Sequence, residues 1–133
     1  MIGLIPLLVI PFIIYDLGLA GMFGAAGDPF SGEVFSMTMM SGGEFTLTTG
    51  GLIVLIALVL LFFEIMKSTR TSNASVVDHL LSTFVFVAYL VEFLLVRGAA
   101  TQIFFTLMII ALIDVLAGFS VSIRSAGRDV SFH

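Results

Sequence analysis

The sequence predicts an all-α membrane protein: a four-transmembrane-helix bundle with a short extracytoplasmic loop or β-hairpin between helices one and two. Composition, apolar stretches and the placement of basic residues predict it. Of the 133 residues, 59% are hydrophobic and 11% charged, with a mean hydropathy of +1.23. A soluble domain is about half apolar and about a quarter charged, and a short chain has a large surface to cover with polar groups. Four apolar stretches are also long enough to cross a bilayer as helices, which takes about 20 residues each. Finally, Lys67, Arg70, Arg124 and Arg128 fall on one side of such a bundle and Arg97 on the other. The positive-inside rule then places both termini in the cytoplasm.

Helix one is expected over residues 2–23, carrying Pro6, Pro11 and Asp16. Pro11 lacks an N–H and is expected to kink it. Ala25-Ala26-Gly27 resembles a leader-cleavage site, but no basic residue precedes Ile2 and two prolines interrupt the run. A retained helix is therefore expected. The loop 24–46 is Gly-rich and acidic, with Asp28, Glu33 and Glu44. Its apolar segments flank Ser41-Gly42-Gly43, which fits a short β-hairpin or an amphipathic segment resting on lipid. The hairpin is favoured, because Thr, Val and Phe surround a Gly-Gly turn.

Helix two is expected over 47–66. Gly50, Ala57 and Glu64 stand one heptad apart on a small-residue seam. A polar turn follows, then helix three over 75–96. Asp78, Ser82, Val85, Tyr89 and Glu92 step by four, three, four and three, which is one stripe of a helix. Phe84, Val87, Leu90, Val91 and Leu94 form the other surface, so the stripe is expected to face protein. Arg97-Gly98 allows a tight reversal into helix four, expected over 100–123, with a polar tail at 124–133. Asp114 falls near the middle of helix four, with Ala111, Ala117, Gly118 and Ser122 on or beside its face. With no Trp in the chain, an aromatic belt would rest on Tyr15, Tyr89 and Phe.

Ionisable groups are costly in a bilayer core and are the best pointers to function. The intramembrane polar candidates are Asp114, Glu92, Asp16, Tyr89 and Ser82; a cytoplasmic-side cluster comprises Glu64, Asp78 and His79. Arg97 is the expected partner of Glu92, and Lys67 or Arg70 of Glu64. A lone charge at Asp114 is costly, so a protonated carboxyl donating to a carbonyl or hydroxyl is expected there. Arranged by depth, these groups form a rough ladder across the membrane. Such a ladder fits either a proton relay or a bundle held by polar contacts.

Other chemistries are excluded by motif. The chain has no cysteine, hence no disulfide or thiolate metal site. A net charge of −4 argues against nucleic acid. It lacks a phosphate-binding Gly-rich loop, a His-Glu-x-x-His motif and a Gly-x-Ser-x-Gly elbow. No catalytic residue, metal or cofactor is assigned, and an enzyme is not expected. The expected function is a structural or accessory subunit of a membrane assembly, self-associated or with other membrane subunits, in a bacterial inner membrane. The alternative is a small oligomeric proton- or cation-conducting transporter using the intramembrane carboxylates.

Overall fold

The computed structural model describes residues 6–21, 30–68 and 73–131, without the side chains of residues 68, 73–76, 78 and 121–131. Among the described residues the order is α1 (Val9–Leu19), β1 (Glu33–Thr38), β2 (Glu44–Thr48), α2 (Thr49–Ser68), α3 (Asn73–Leu95) and α4 (Gln102–Ser131). The protein is thus mostly helical, with one small antiparallel hairpin. Two segments, Thr49–Lys67 and Gln102–Ser120, are long and apolar enough to cross a membrane; Val9–Leu19 and His79–Leu95 are shorter apolar helices.

Of the helix expected over 2–23, residues 2–5 and 22–23 lie outside the described residues, and α1 occupies Val9–Leu19 of the rest. Its 11 residues rise about 16 Å at about 1.5 Å each. Pro11 is its third residue, inside the first turn, where N–H groups have no partner within the helix. The missing donor therefore costs nothing there, and the expected mid-helix kink is replaced by a helix start. A lead-in turn precedes it, with Val9 N–H donating to Pro6 C=O (3.2 Å) and Ile10 N–H to Leu7 C=O (3.0 Å). The helix closes where Gly21, at φ +90°, donates to Gly18 C=O (3.1 Å).

The segment after α1 resolves the choice left by the sequence in favour of the hairpin. Strands β1 and β2 pair antiparallel, Phe35 opposite Leu47, Ser36 opposite Thr46, Met37 opposite Phe45 and Thr38 opposite Glu44. Gly42 N–H donates to Met39 C=O (2.9 Å), closing a turn over Met40 and Ser41. Gly42 itself sits at φ +89°, a left-handed conformation in which a Cβ is strained. Strand β2 runs into α2 without an intervening residue. Thr48 Oγ1 accepts from Gly51 N–H (3.1 Å), a threonine N-cap. Thr49 and Gly50 N–H donate to Gly32 and Phe30 C=O (2.8 and 2.9 Å), tying the entry of β1 to the same helix start.

Helices α3 and α4 form the expected antiparallel pair, joined by a single 3₁₀ turn at Arg97–Ala99. Helix α4 continues to Ser131 rather than ending in a polar tail after 123. No proline interrupts this stretch, so the helix outlasts its apolar portion. Helix α4 is the central element, packing along both α2 and α3, while α2 and α3 touch little. The α2 seam points inward as its heptad spacing implies, with Gly50, Ile53, Ala57 and Glu64 buried. A Cβ on Gly50 would collide with Ile103 Cδ1, so glycine sets the close approach of α2 and α4. The opposite surfaces are apolar yet exposed on every helix: Ile13 on α1, Phe62 on α2, Phe84 on α3 and Leu116 on α4 are each at least half exposed.

Candidate functional site

The polar candidates spread along the α3–α4 pair and are bridged at the start of α1, where Tyr89 meets Leu8 and Glu64 meets Leu7. Near the α3–α4 turn, Tyr15 is fully buried. Its hydroxyl donates to Gly98 C=O (3.1 Å) and shares a 2.7 Å hydrogen bond with Thr101 Oγ1. Its ring stacks on Phe30, with centroids 4.1 Å apart and planes 7° apart. Tyr89, 1% exposed, donates to Leu8 C=O at 2.8 Å and meets Phe12 edge-on at 4.9 Å. Neither tyrosine lies in an outward aromatic belt. Both are inward anchors for α1, since burying a phenol requires a partner for its hydroxyl. The sequence signalled Tyr89 through its stripe, but the partners of Tyr15 are 83 and 86 residues away in the chain.

The same end holds Asp16 and Glu92, whose carboxyl groups lie side by side. Glu92 Oε2 is buried and has no hydrogen-bond partner among the described residues. The pairing anticipated with Arg97 is not made: Arg97 is exposed, and among the described residues the glutamate held in an ion pair is Glu64, with Lys67. Glu92 also lines an outward-opening groove of about 510 Å³ between Phe12 on α1 and Phe84, Val87, Val91 and Leu95 on α3. It is the ionisable group of an otherwise apolar wall.

At the other end, Glu64 is 1% exposed. Its Oε1 accepts from Leu7 N–H (2.9 Å) and from Lys67 Nζ (3.0 Å), while Oε2 has no partner among the described residues. A carboxylate placed on the opening turn of α1 meets free N–H groups and the positive end of the helix dipole. His79 is seated against α4. Its ring stacks on Phe119 (5.5 Å, 13°) and fills the notch at Gly118, where a Cβ would collide with imidazole Cε1. Asp78 lies on α3, but its side chain is outside the described residues. Among the described residues no three acidic, His or Cys side chains gather as metal ligands.

Ser82 and Asp114 are each 5% exposed. Ser82 lies one turn along α3 from His79, and Asp114 one turn along α4 from Gly118. Asp114 therefore belongs to the His79 end. Ten residues separate it from Phe104, the neighbour of Tyr15 and Tyr89, or about 15 Å along the helix. Leu107, Met108, Ala111 and Val85 fill that interval, all buried. Along α4 the depth-ordered ladder is thus interrupted by apolar side chains, while the start of α1 bridges Tyr89 and Glu64 through Leu8 and Leu7. Asp16 and Glu92 converge, but Asp114 does not join them.

Comparison with protein-family models, curated proteins and solved structures finds no match.

Proposed function

We propose that this chain is an integral membrane protein, a four-helix bundle acting as a structural or accessory subunit of a larger membrane assembly. The outward apolar faces support insertion. Of the Thr49–Lys67 span only 22% is buried, and of Gln102–Ser120 44%, whereas the core helix of a soluble protein would be mostly covered. Lipid, as solvent, accommodates those faces. The Lys and Arg distribution favours cytoplasmic termini, and a bacterial inner membrane fits that bias.

The observation that carries the subunit reading is Glu92. Glu64 is held through Oε1 by Leu7 N–H and Lys67, whereas Glu92 meets a second carboxyl, Asp16, and lines a groove that opens outward. A carboxyl at a lipid-facing groove is costly alone. A neighbouring helix with a donor or a basic side chain would cover the groove and the carboxyl on its wall. Gentle detergent extraction followed by native mass spectrometry tests this. The expected species is much heavier than one chain and is weakened by Glu92→Leu. A clean monomer from native membranes overturns it.

Convergence of Asp16 and Glu92 favours a second reading, proton or cation conduction. On α4, Leu107, Met108 and Ala111 stand between Phe104 and Asp114, which argues against a path along that helix. In liposomes with an internal pH dye, wild type and Asp114→Asn should then behave alike. Proton flux abolished by Asp114→Asn would establish conduction.

A further inference from the structure

We propose that the apolar face of the β1–β2 hairpin lies in the headgroup–acyl boundary of the bilayer, beside the start of α2; the inference rests on the membrane reading above. Beyond an irregularity in register between Glu33 and Phe35, the pairing divides the hairpin into two faces. Residues directly opposite share a face, so Phe35, Met37, Phe45 and Leu47 form one side. Ser36, Thr38, Glu44 and Thr46 form the other. The apolar side has no core beneath it among the described residues: Phe35, Met37 and Phe45 are between 44% and 52% exposed. An isolated two-stranded hairpin is at best marginal in water, so this face requires a cover.

Position and chemistry together select lipid as that cover. The hairpin root joins α2 with no linker and is tied to it by the Thr49 and Gly50 hydrogen bonds. If α2 crosses the bilayer, the root stands at the bilayer edge. Five or six residues at about 3.3 Å each keep the whole hairpin within about 20 Å of it. The apolar face also continues the outward surface of α2. Leu47 covers Gly51, which heads the exposed strip through Leu55, Leu58 and Phe62. Residues 30–66 contain no Lys or Arg. Attachment would therefore come from apolar insertion rather than attraction to anionic headgroups, with the hydroxyls of the polar face turned to water.

The chain has no cysteine, so single substitutions take a nitroxide label without a background signal. The full-length protein would be placed in phosphatidylcholine vesicles. Collision with oxygen and with a water-soluble nickel chelate is then measured for Met37→Cys, Phe45→Cys, Ser36→Cys and Thr46→Cys, with Leu58→Cys on α2 as reference. The expected pattern is oxygen-accessible and nickel-protected at 37, 45 and 58, and several-fold more nickel-accessible at 36 and 46. Nickel access at 37 and 45 equal to that at 46, with 58 still protected, overturns the hairpin assignment and leaves the membrane reading standing. Protection of 37 and 45 from both reagents means a protein covers this face and likewise overturns it. Nickel access at 58 overturns both readings.

Discussion

The hydroxyl of Tyr89 on α3 donates to the main-chain carbonyl of Leu8, 2.8 Å away, at the entrance to α1. The bond is buried and joins residues 81 positions apart, so it fixes the first turn of α1 against the α3–α4 pair. Leu8 caps α1, so its carbonyl keeps its intrahelical partner, and removing the hydroxyl loses one buried hydrogen bond, about 0.5–1.5 kcal/mol. Tyr89→Phe should therefore lower the unfolding midpoint in a mild detergent while leaving helix content unchanged. An unaltered midpoint would mean that the bond contributes nothing.

Glu64 secures the same end of α1 from the opposite side. Its Oε1 serves both Leu7 N–H and Lys67. Glutamine retains an acceptor for the amide but loses the charge pair; alanine loses both. Amide hydrogen exchange at the start of α1 should rise in the order wild type, Glu64→Gln, Glu64→Ala. Truncating a buried ion pair costs about 3–5 kcal/mol, but Lys67 is 19% exposed, so about 1–3 kcal/mol is expected for alanine. Equal protection in all three would show that α1 is held by packing alone.

Periodicity made much of this legible. Ser82, Val85 and Tyr89 of the stripe face inward and Phe84, Val87, Val91 and Leu94 outward, because a 3.6-residue repeat fixes which side chains share a face, whereas Glu92 is half-buried and Leu90, expected outward, packs against the core. The Gly50, Ala57, Glu64 seam is buried for the same reason, and the Gly-Gly turn placed the hairpin. Chain proximity misled where geometry intervened. Glu92 and Arg97 are five apart, a spacing that does not share a helix face. Val96, at φ −101° and ψ 120°, has already left the helix before Arg97. Glu92 instead meets Asp16 from α1. Contacts of that kind depend on how α1 docks, which no local pattern encodes. The start of α1 was obscured because a proline reads as a kink or as a first-turn residue according to where the helix begins.

The hairpin turn offers a local test. A Cβ added to Gly42, at φ +89°, would meet nothing within 4 Å, so space is not the constraint there. Alanine at this position meets only backbone strain, about 1–2 kcal/mol. Gly42→Ala should loosen the β1–β2 pairing, seen as faster amide exchange at Met37 and Phe45, and leave exchange in α4 untouched. Slowing or no change at those amides would contradict the turn geometry.

Gly118 is constrained by space rather than by backbone. The His79 imidazole occupies the volume a Cβ would need, against Phe119 and one turn from the buried Asp114. Gly118→Ala forces the ring or the helices apart, and overpacking of this kind costs about 1–3 kcal/mol. The clash disappears if the ring is absent, so Gly118→Ala should be nearly neutral in a His79→Ala background. Because glycine also disfavours a helix by about 1 kcal/mol relative to alanine, the double variant should be at least as stable as His79→Ala alone. The four unfolding free energies close a mutant cycle whose coupling measures the contact. Additive effects would mean that α3 and α4 do not approach through this notch, and that the histidine is held by something other than the glycine opposite it.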